Sequence, residues 1–123
     1  MLAQNRMVSF LATSDGARAR AFYEGVLGLT FTGDHGPVIA FEGASGRLML
    51  QIAEQVDPPY GTALGWLVED IHATIRALEA RGVEFERYDQ MEQDAWGVWR
   101  PHPGAGVAWF KDPDGNLLSV SQH

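Results

Sequence analysis

The reading of the fold turns on Val68-Glu69-Asp70, the run Ile71-His72-Ala73-Thr74-Ile75-Arg76-Ala77-Leu78-Glu79-Ala80-Arg81, and Gly82-Val83 directly after it. Asp70 suits the N-cap of a helix, because its carboxylate can accept from the free amides of the first turn. Ile71, Ile75 and Leu78 recur at i, i+4 and i+7, which gathers them on one helical face. Arg81 brings a cation to the last turn, where the helix dipole favours it, and Gly82 supplies the stop. The flanking stretches Ala63–Val68 and Val83–Asp89 read as strands.

Outward from this unit, the first half of the chain repeats it. Thr13-Ser14-Asp15 opens a helix predicted from Asp15 to Leu27, with Phe22, Tyr23, Val26 and Leu27 as its apolar stripe and Gly28-Leu29 behind it. The spacing from Asp15 to Gly28 nearly equals that from Asp70 to Gly82. The other predicted strands are Met7–Ala12, Leu29–Thr32, Val38–Glu42, Leu48–Ala53, Val107–Lys111 and Leu117–Ser121. Turn chemistry separates them at Gly33-Asp34-His35-Gly36, Gly43-Ala44-Ser45-Gly46, Pro58-Pro59 and Asp112-Pro113-Asp114-Gly115. Each half therefore runs strand, helix, three strands. The expected fold is α+β: one domain over residues 1–123 built from two βαβββ modules, about 6–57 and 62–122, forming a curved mixed sheet around a cleft. Gln90–Gly106, with Trp96, Trp99, Pro101 and Pro103, reads as an ordered, bulky loop holding one short strand.

Composition narrows the function classes. The chain has 123 residues, 46% hydrophobic and 20% charged, which suits one packed domain and argues against disorder. With no cysteine, disulfides, thiolate metal sites and cysteine nucleophiles are excluded. A net charge of −7 offers no basic stripe for nucleic acid. The longest apolar stretch, Tyr60 to Val68, falls far short of a membrane span, and the Met1–Arg6 stretch has no signal-peptide core. The expected compartment is the cytoplasm.

In order and spacing, Asp15, Phe22-Tyr23, Leu27-Gly28-Leu29, Val68-Glu69-Asp70, Arg81-Gly82-Val83 and Phe110-Lys111-Asp112-Pro113-Asp114-Gly115-Asn116 resemble the vicinal oxygen chelate superfamily. This is the group of glyoxalase I, the extradiol dioxygenases and the bleomycin-resistance proteins. The resemblance spans Met7 to Gln122. It implies paired βαβββ modules, usually completed by a homodimer. In the metal-dependent members it also implies a divalent metal held from four strands. Carried over by spacing, those four positions fall on Val8, Gln51, Ala63 and Ser119. Two carry no donor and two offer only neutral oxygens, so the expectation is a metal-free subgroup with no cofactor. The alternative is a metal-dependent lyase of the glyoxalase I type, or a dioxygenase, with displaced ligands.

The remaining chemistry is aromatic and polar. No Gly-x-Gly-x-x-Gly, phosphate loop, His-Glu-x-x-His or nucleophile elbow occurs. Asp112–Asn116 reads as a hairpin turn rather than a calcium loop, since its glycine and its twelfth residue, His123, do not fit one. His102 is a candidate general base if its loop overhangs the cleft. Trp96 and Trp99 share the long loop, where tryptophans need cover from the domain, a partner or a ligand. The candidate ligand-binding set is Gln51, Tyr60, Trp66, Trp96, Trp99, His102 and Ser119. The expected function is binding of a small organic molecule by a homodimer, with or without side-chain acid–base turnover. The sheet faces of Trp66 and Trp109 stay open at this level.

Overall fold

The computed structural model describes residues 1–123 and divides the chain into two compact units, Met1–Pro58 and Pro59–His123. The first opens with one 3-10 turn at Leu2–Gln4 and continues β1 (Val8–Thr13), α1 (Gly16–Arg20), β2 (Thr30–Asp34), β3 (Val38–Glu42) and β4 (Arg47–Ile52). The second holds β5 (Leu64–Leu67), α2 (Ile71–Glu79), β6 (Gly106–Lys111) and β7 (Leu117–Gln122). The architecture is α+β, with two mixed sheets in the orders β1-β4-β3-β2 and β5-β7-β6. In each, the strand before the helix lies parallel to the last strand of its unit: β1 on β4, and β5 on β7. A parallel pair cannot be joined by a tight hairpin. In each unit the chain runs through the helix and the strands after it before the last strand returns beside the first.

Both helices begin as their sequences require. Asp15 accepts from the Arg18 amide at 3.0 Å, and Asp70 accepts from the Ala73 amide at 3.1 Å. Both run into glycines at positive φ, 79° at Gly28 and 91° at Gly82, where a side chain would be strained. The first helix is not α-helical throughout. Past Arg20 it widens to a π-helix over Ala21–Val26, with the Leu27 amide bonded back to Phe22 O. Its buried Tyr23 packs against Phe41, ring centroids 5.8 Å apart.

Each sheet buries one face under its helix. In the first unit that face carries Leu11, Leu48, Leu50, Ile39 and Phe41, which the ladder registers place side by side. In the second it carries Ala108, Phe110, Leu118 and Val120, with Ile71 and Ile75 of α2. A Cβ on Gly106, on the same face, would come within 3.8 Å of Ile71 Cδ1, so this is the helix side.

One predicted strand is lost. Val83–Asp89 forms only an isolated bridge, Phe85 to Phe110, with the Glu86 amide donating to Trp109 O at 2.7 Å. Beyond it the backbone finds a side chain in place of a strand. The amide of Gln93 donates to Glu86 O at 3.0 Å and to Gly97 O at 2.9 Å, while its oxygen accepts from Tyr88 N at 2.8 Å. Those backbone groups are satisfied locally, so nothing drives them into a longer ladder. The open edge of β6 is then completed by Trp99, which exchanges two hydrogen bonds of 2.9 Å with Val107. The loop does hold one short extended piece.

Candidate functional site

The helix-free face of the second sheet is decided by register. Gly65 of β5 stands opposite Ser119 of β7, and Ser119 stands opposite Trp109 of β6. Trp99 lies across from Val107. Val107 and Trp109 share a face because strand side chains alternate. The result is a row across the sheet that runs from a bare glycine through a hydroxyl to two indoles. The Trp99 and Trp109 rings lie 6.2 Å apart and are inclined by only 32°, so they form one apolar wall. Tyr88 meets Trp109 edge-on at 5.8 Å. The Trp109 Nε1–H donates to Thr62 Oγ1 at 3.0 Å, which holds the ring and uses up its donor. Burial pushes the Tyr88 phenol above its ordinary pKa, helped by the nearby Glu86 carboxylate, so the ring edge stays neutral.

The loop behind this wall is fastened to the helix side. Asp94 Oδ1 accepts from the amides of Trp96 at 2.8 Å and Val98 at 3.0 Å, and its Oδ2 meets His72 Nε2 at 2.8 Å. Partial burial alone would raise the Asp94 pKa. The Val98 amide, His72 and the Trp96 amide outweigh it and hold the carboxyl below the usual range. Arg87 adds bonds of 2.6 Å to the carbonyls of Asp94 and Ala95. These ties are what aim Trp99.

The other candidates fall elsewhere. Trp96 lies against α2, with its ring 6.4 Å from that of His72 and under the Arg76 guanidinium at 6.0 Å. It shares a loop with Trp99 but not a surface. Trp66 pairs with Val120 and so belongs to the helix-side face. His102 sits exposed at a turn, its Nδ1 3.1 Å from Pro103 O. Tyr60 is fully exposed at the start of the second unit. Gln51 is exposed on the helix-free face of the first sheet, which also carries Val8 and Phe10. The candidate set read from the sequence does not include Trp109, Tyr88 or Gly65. The alternation of Val107, Trp109 and Lys111 shows that Trp109 lies on one face, but which face depends on where α2 lands.

The four positions that correspond by spacing to the metal ligands of the metal-dependent members share the helix-free faces of their own sheets. Val8 and Gln51 lie four ladder steps apart, roughly 13 Å at ~3.3 Å per residue. Ala63, whose amide donates to Leu117 O, precedes Gly65 by two residues and so lies on the Ser119 side. Valine and alanine offer no donor atom, and no three His, Cys, Asp or Glu side chains are grouped to hold a metal ion. The residues present do not fit a divalent metal. Asp112 is likewise spoken for: its carboxylate accepts from the amides of Asp114 and Asn116 and from the Asn116 side chain, making a hairpin turn.

Two strand–helix–strand units with parallel outer pairs and helices on one face define a glyoxalase-like α+β protein. Residues 4–120 match the model of the Glyoxalase/Bleomycin resistance protein/Dioxygenase superfamily, and the chain belongs to it. Among solved structures, a putative glyoxalase family protein from Bacillus anthracis is similar with a TM-score of 0.77 and 17% identity, covering 98% of this chain and 95% of that one. An antibiotic-binding protein, TnmS3, from a Streptomyces species is similar with a TM-score of 0.72 and 24% identity, over 96% and 94% of the two chains. A lactoylglutathione lyase from Agrobacterium tumefaciens aligns at a TM-score of 0.71 and 20% identity, over 94% and 91%. No curated protein matches the sequence. No helix is long and apolar enough to cross a membrane.

Proposed function

We propose that this protein binds a small, planar, largely apolar organic molecule on the helix-free face of its second sheet, without a metal. The observation that carries this reading is the Trp99–Trp109 wall on a face no helix covers. Both indoles are only partly buried there, and the aromatic surface that remains gains from a ring stacked on it. The chemistry of the donor set weighs against the metal-dependent lyase and dioxygenase alternative. Ser119 has no base in hydrogen-bonding reach, and His102 is on an exposed turn, which favours binding over turnover. The similar fold of an antibiotic-binding protein supports the same use. The exposed apolar Val8 and Phe10 on edge strand β1, and Leu67 on edge strand β5, favour a homodimer, for which light scattering should read about twice 13.5 kDa. A monomer at every concentration would refute the dimer.

The test is equilibrium dialysis of 2-ethylnaphthalene against the wild type, Trp99→Ala and Trp96→Ala. Trp99→Ala should weaken binding by about 1–3 kcal/mol, the range for an aromatic anchor, and Trp96→Ala by far less. Equal losses in both variants, or no wild-type binding, would overturn the reading.

A further inference from the structure

Ser119 has a side chain that the fold does not use. It is 8% exposed, deep enough that a hydroxyl there normally has a partner, yet its Oγ makes no hydrogen bond. The atom still reaches solvent, because no fully buried side-chain oxygen or nitrogen is left unpaired. Its direction is given by the residue opposite. A Cβ built on Gly65 would come 2.5 Å from Ser119 Oγ, and its three nearest atoms would all belong to Ser119. The hydroxyl therefore points into the space that the missing Gly65 side chain leaves open. Gly65 has an ordinary backbone conformation and is not needed for a turn. What its lack of a side chain does is give the Ser119 hydroxyl the room it occupies.

On its other side Ser119 stands beside Trp109, whose own N–H is committed to Thr62. The wall thus offers π-surface while the hydroxyl beside it offers an unspent hydrogen bond. A hydrocarbon stacked on the indoles would strip water from Ser119 and return nothing, at a cost. A ligand with an oxygen at the ring margin would recover that loss.

Resting on the binding reading above, we infer that Gly65 and Ser119 form a polar subsite at the end of the Trp99–Trp109 wall, and that the ligand class is planar aromatic compounds bearing a carbonyl oxygen at the ring edge. The Ser119 hydroxyl donates to that oxygen while the ring stacks on the indoles. Gly65 is the gate residue, because even a methyl there would come within 2.5 Å of the Ser119 Oγ and force the hydroxyl out of its position.

The test pairs 2-acetonaphthone with 2-ethylnaphthalene, which differ at the carbonyl, in equilibrium dialysis against the wild type, Ser119→Ala and Gly65→Ala. The wild type should prefer the ketone roughly five- to tenfold, the value of one neutral hydrogen bond. Ser119→Ala should bring the ratio close to one. Gly65→Ala, whose new methyl crowds the hydroxyl, should also reduce it. The Ser119→Ala melting temperature should match the wild type, since the hydroxyl has no partner to lose, so a changed ratio would not reflect misfolding. A ratio kept in Ser119→Ala, or equal wild-type affinities for the two compounds, overturns the subsite while leaving aromatic binding intact. Wild-type protein that binds neither compound overturns both.

Discussion

The two units begin alike and end differently. Each places an aspartate cap, a helix and a positive-φ glycine behind its first strand, and each packs that helix on one sheet face. In the first unit the three following strands all form, and the helix-free face is aliphatic at Val8 and Met49, with one phenyl ring at Phe10. Its rim is closed by Glu42, which accepts from Arg6 and Arg47 at 2.8 Å each; hydrogen bonds from the two arginines hold its carboxyl below the ordinary range. In the second unit one strand shrinks to a bridge, and a loop takes the open edge of β6. That substitution brings Trp99 beside Trp109 and puts two neighbouring indoles on the helix-free face. The two units differ where the regular ladder is interrupted, because the open strand edge holds the loop residue Trp99 by two backbone hydrogen bonds to Val107.

The largest effect should come from the part the units share. Phe41 and Phe110 are both fully buried on helix-side faces. Replacing either with alanine should cost about 3–5 kcal/mol in chemical denaturation. If Phe110→Ala costs under half as much as Phe41→Ala, the second core is looser than its packing against Phe85, at 5.4 Å, implies.

The next largest effect separates the units. Gln93→Ala leaves Tyr88 N, Glu86 O and Gly97 O without their partner. The expected loss is about 2–3 kcal/mol, with hydrogen exchange accelerated at Tyr88 and unchanged in β1–β4. Uniform acceleration in both units would show that the loop is not a local device.

The smallest effect is electrostatic. The Asp94 pKa is depressed in the fold, so the carboxylate's stabilisation is present above its unfolded pKa of ~3.9 and is lost as pH falls through the folded value. Melting temperature should therefore fall between about pH 5 and pH 2, and more steeply in the wild type than in Asp94→Asn. Identical pH profiles would show that the His72–Asp94 contact does not fasten the loop.

Much of this could be read from local chemistry. Asp15, Asp70, Gly28 and Gly82 mark helix ends through interactions reaching only three or four residues, and Ile71 and Ile75 mark a buried face by periodicity, so these were legible along the chain. So was the missing donor at Val8 and Ala63, which is a property of residue type alone. Val83–Asp89 reads as a full strand because its apolar alternation is real, while the competitor that ends it is Gln93, a side chain standing in for backbone.

What only the tertiary structure decided is which surface each aromatic ring occupies. Trp96 and Trp99 are three residues apart in one loop, yet one lies against α2 and the other beside Trp109. Trp66 and Trp109 both sit on alternating strands, and alternation shows that faces differ without saying which one the helix will cover. The Ser119 hydroxyl has the room it occupies only because ladder register sets it opposite Gly65, on a strand more than fifty residues away. Local sequence determines the elements and their caps, since those energies act within a few residues. The site depends on register and on the side of the sheet the helix packs against, and these follow from long-range burial that no short stretch of chain contains.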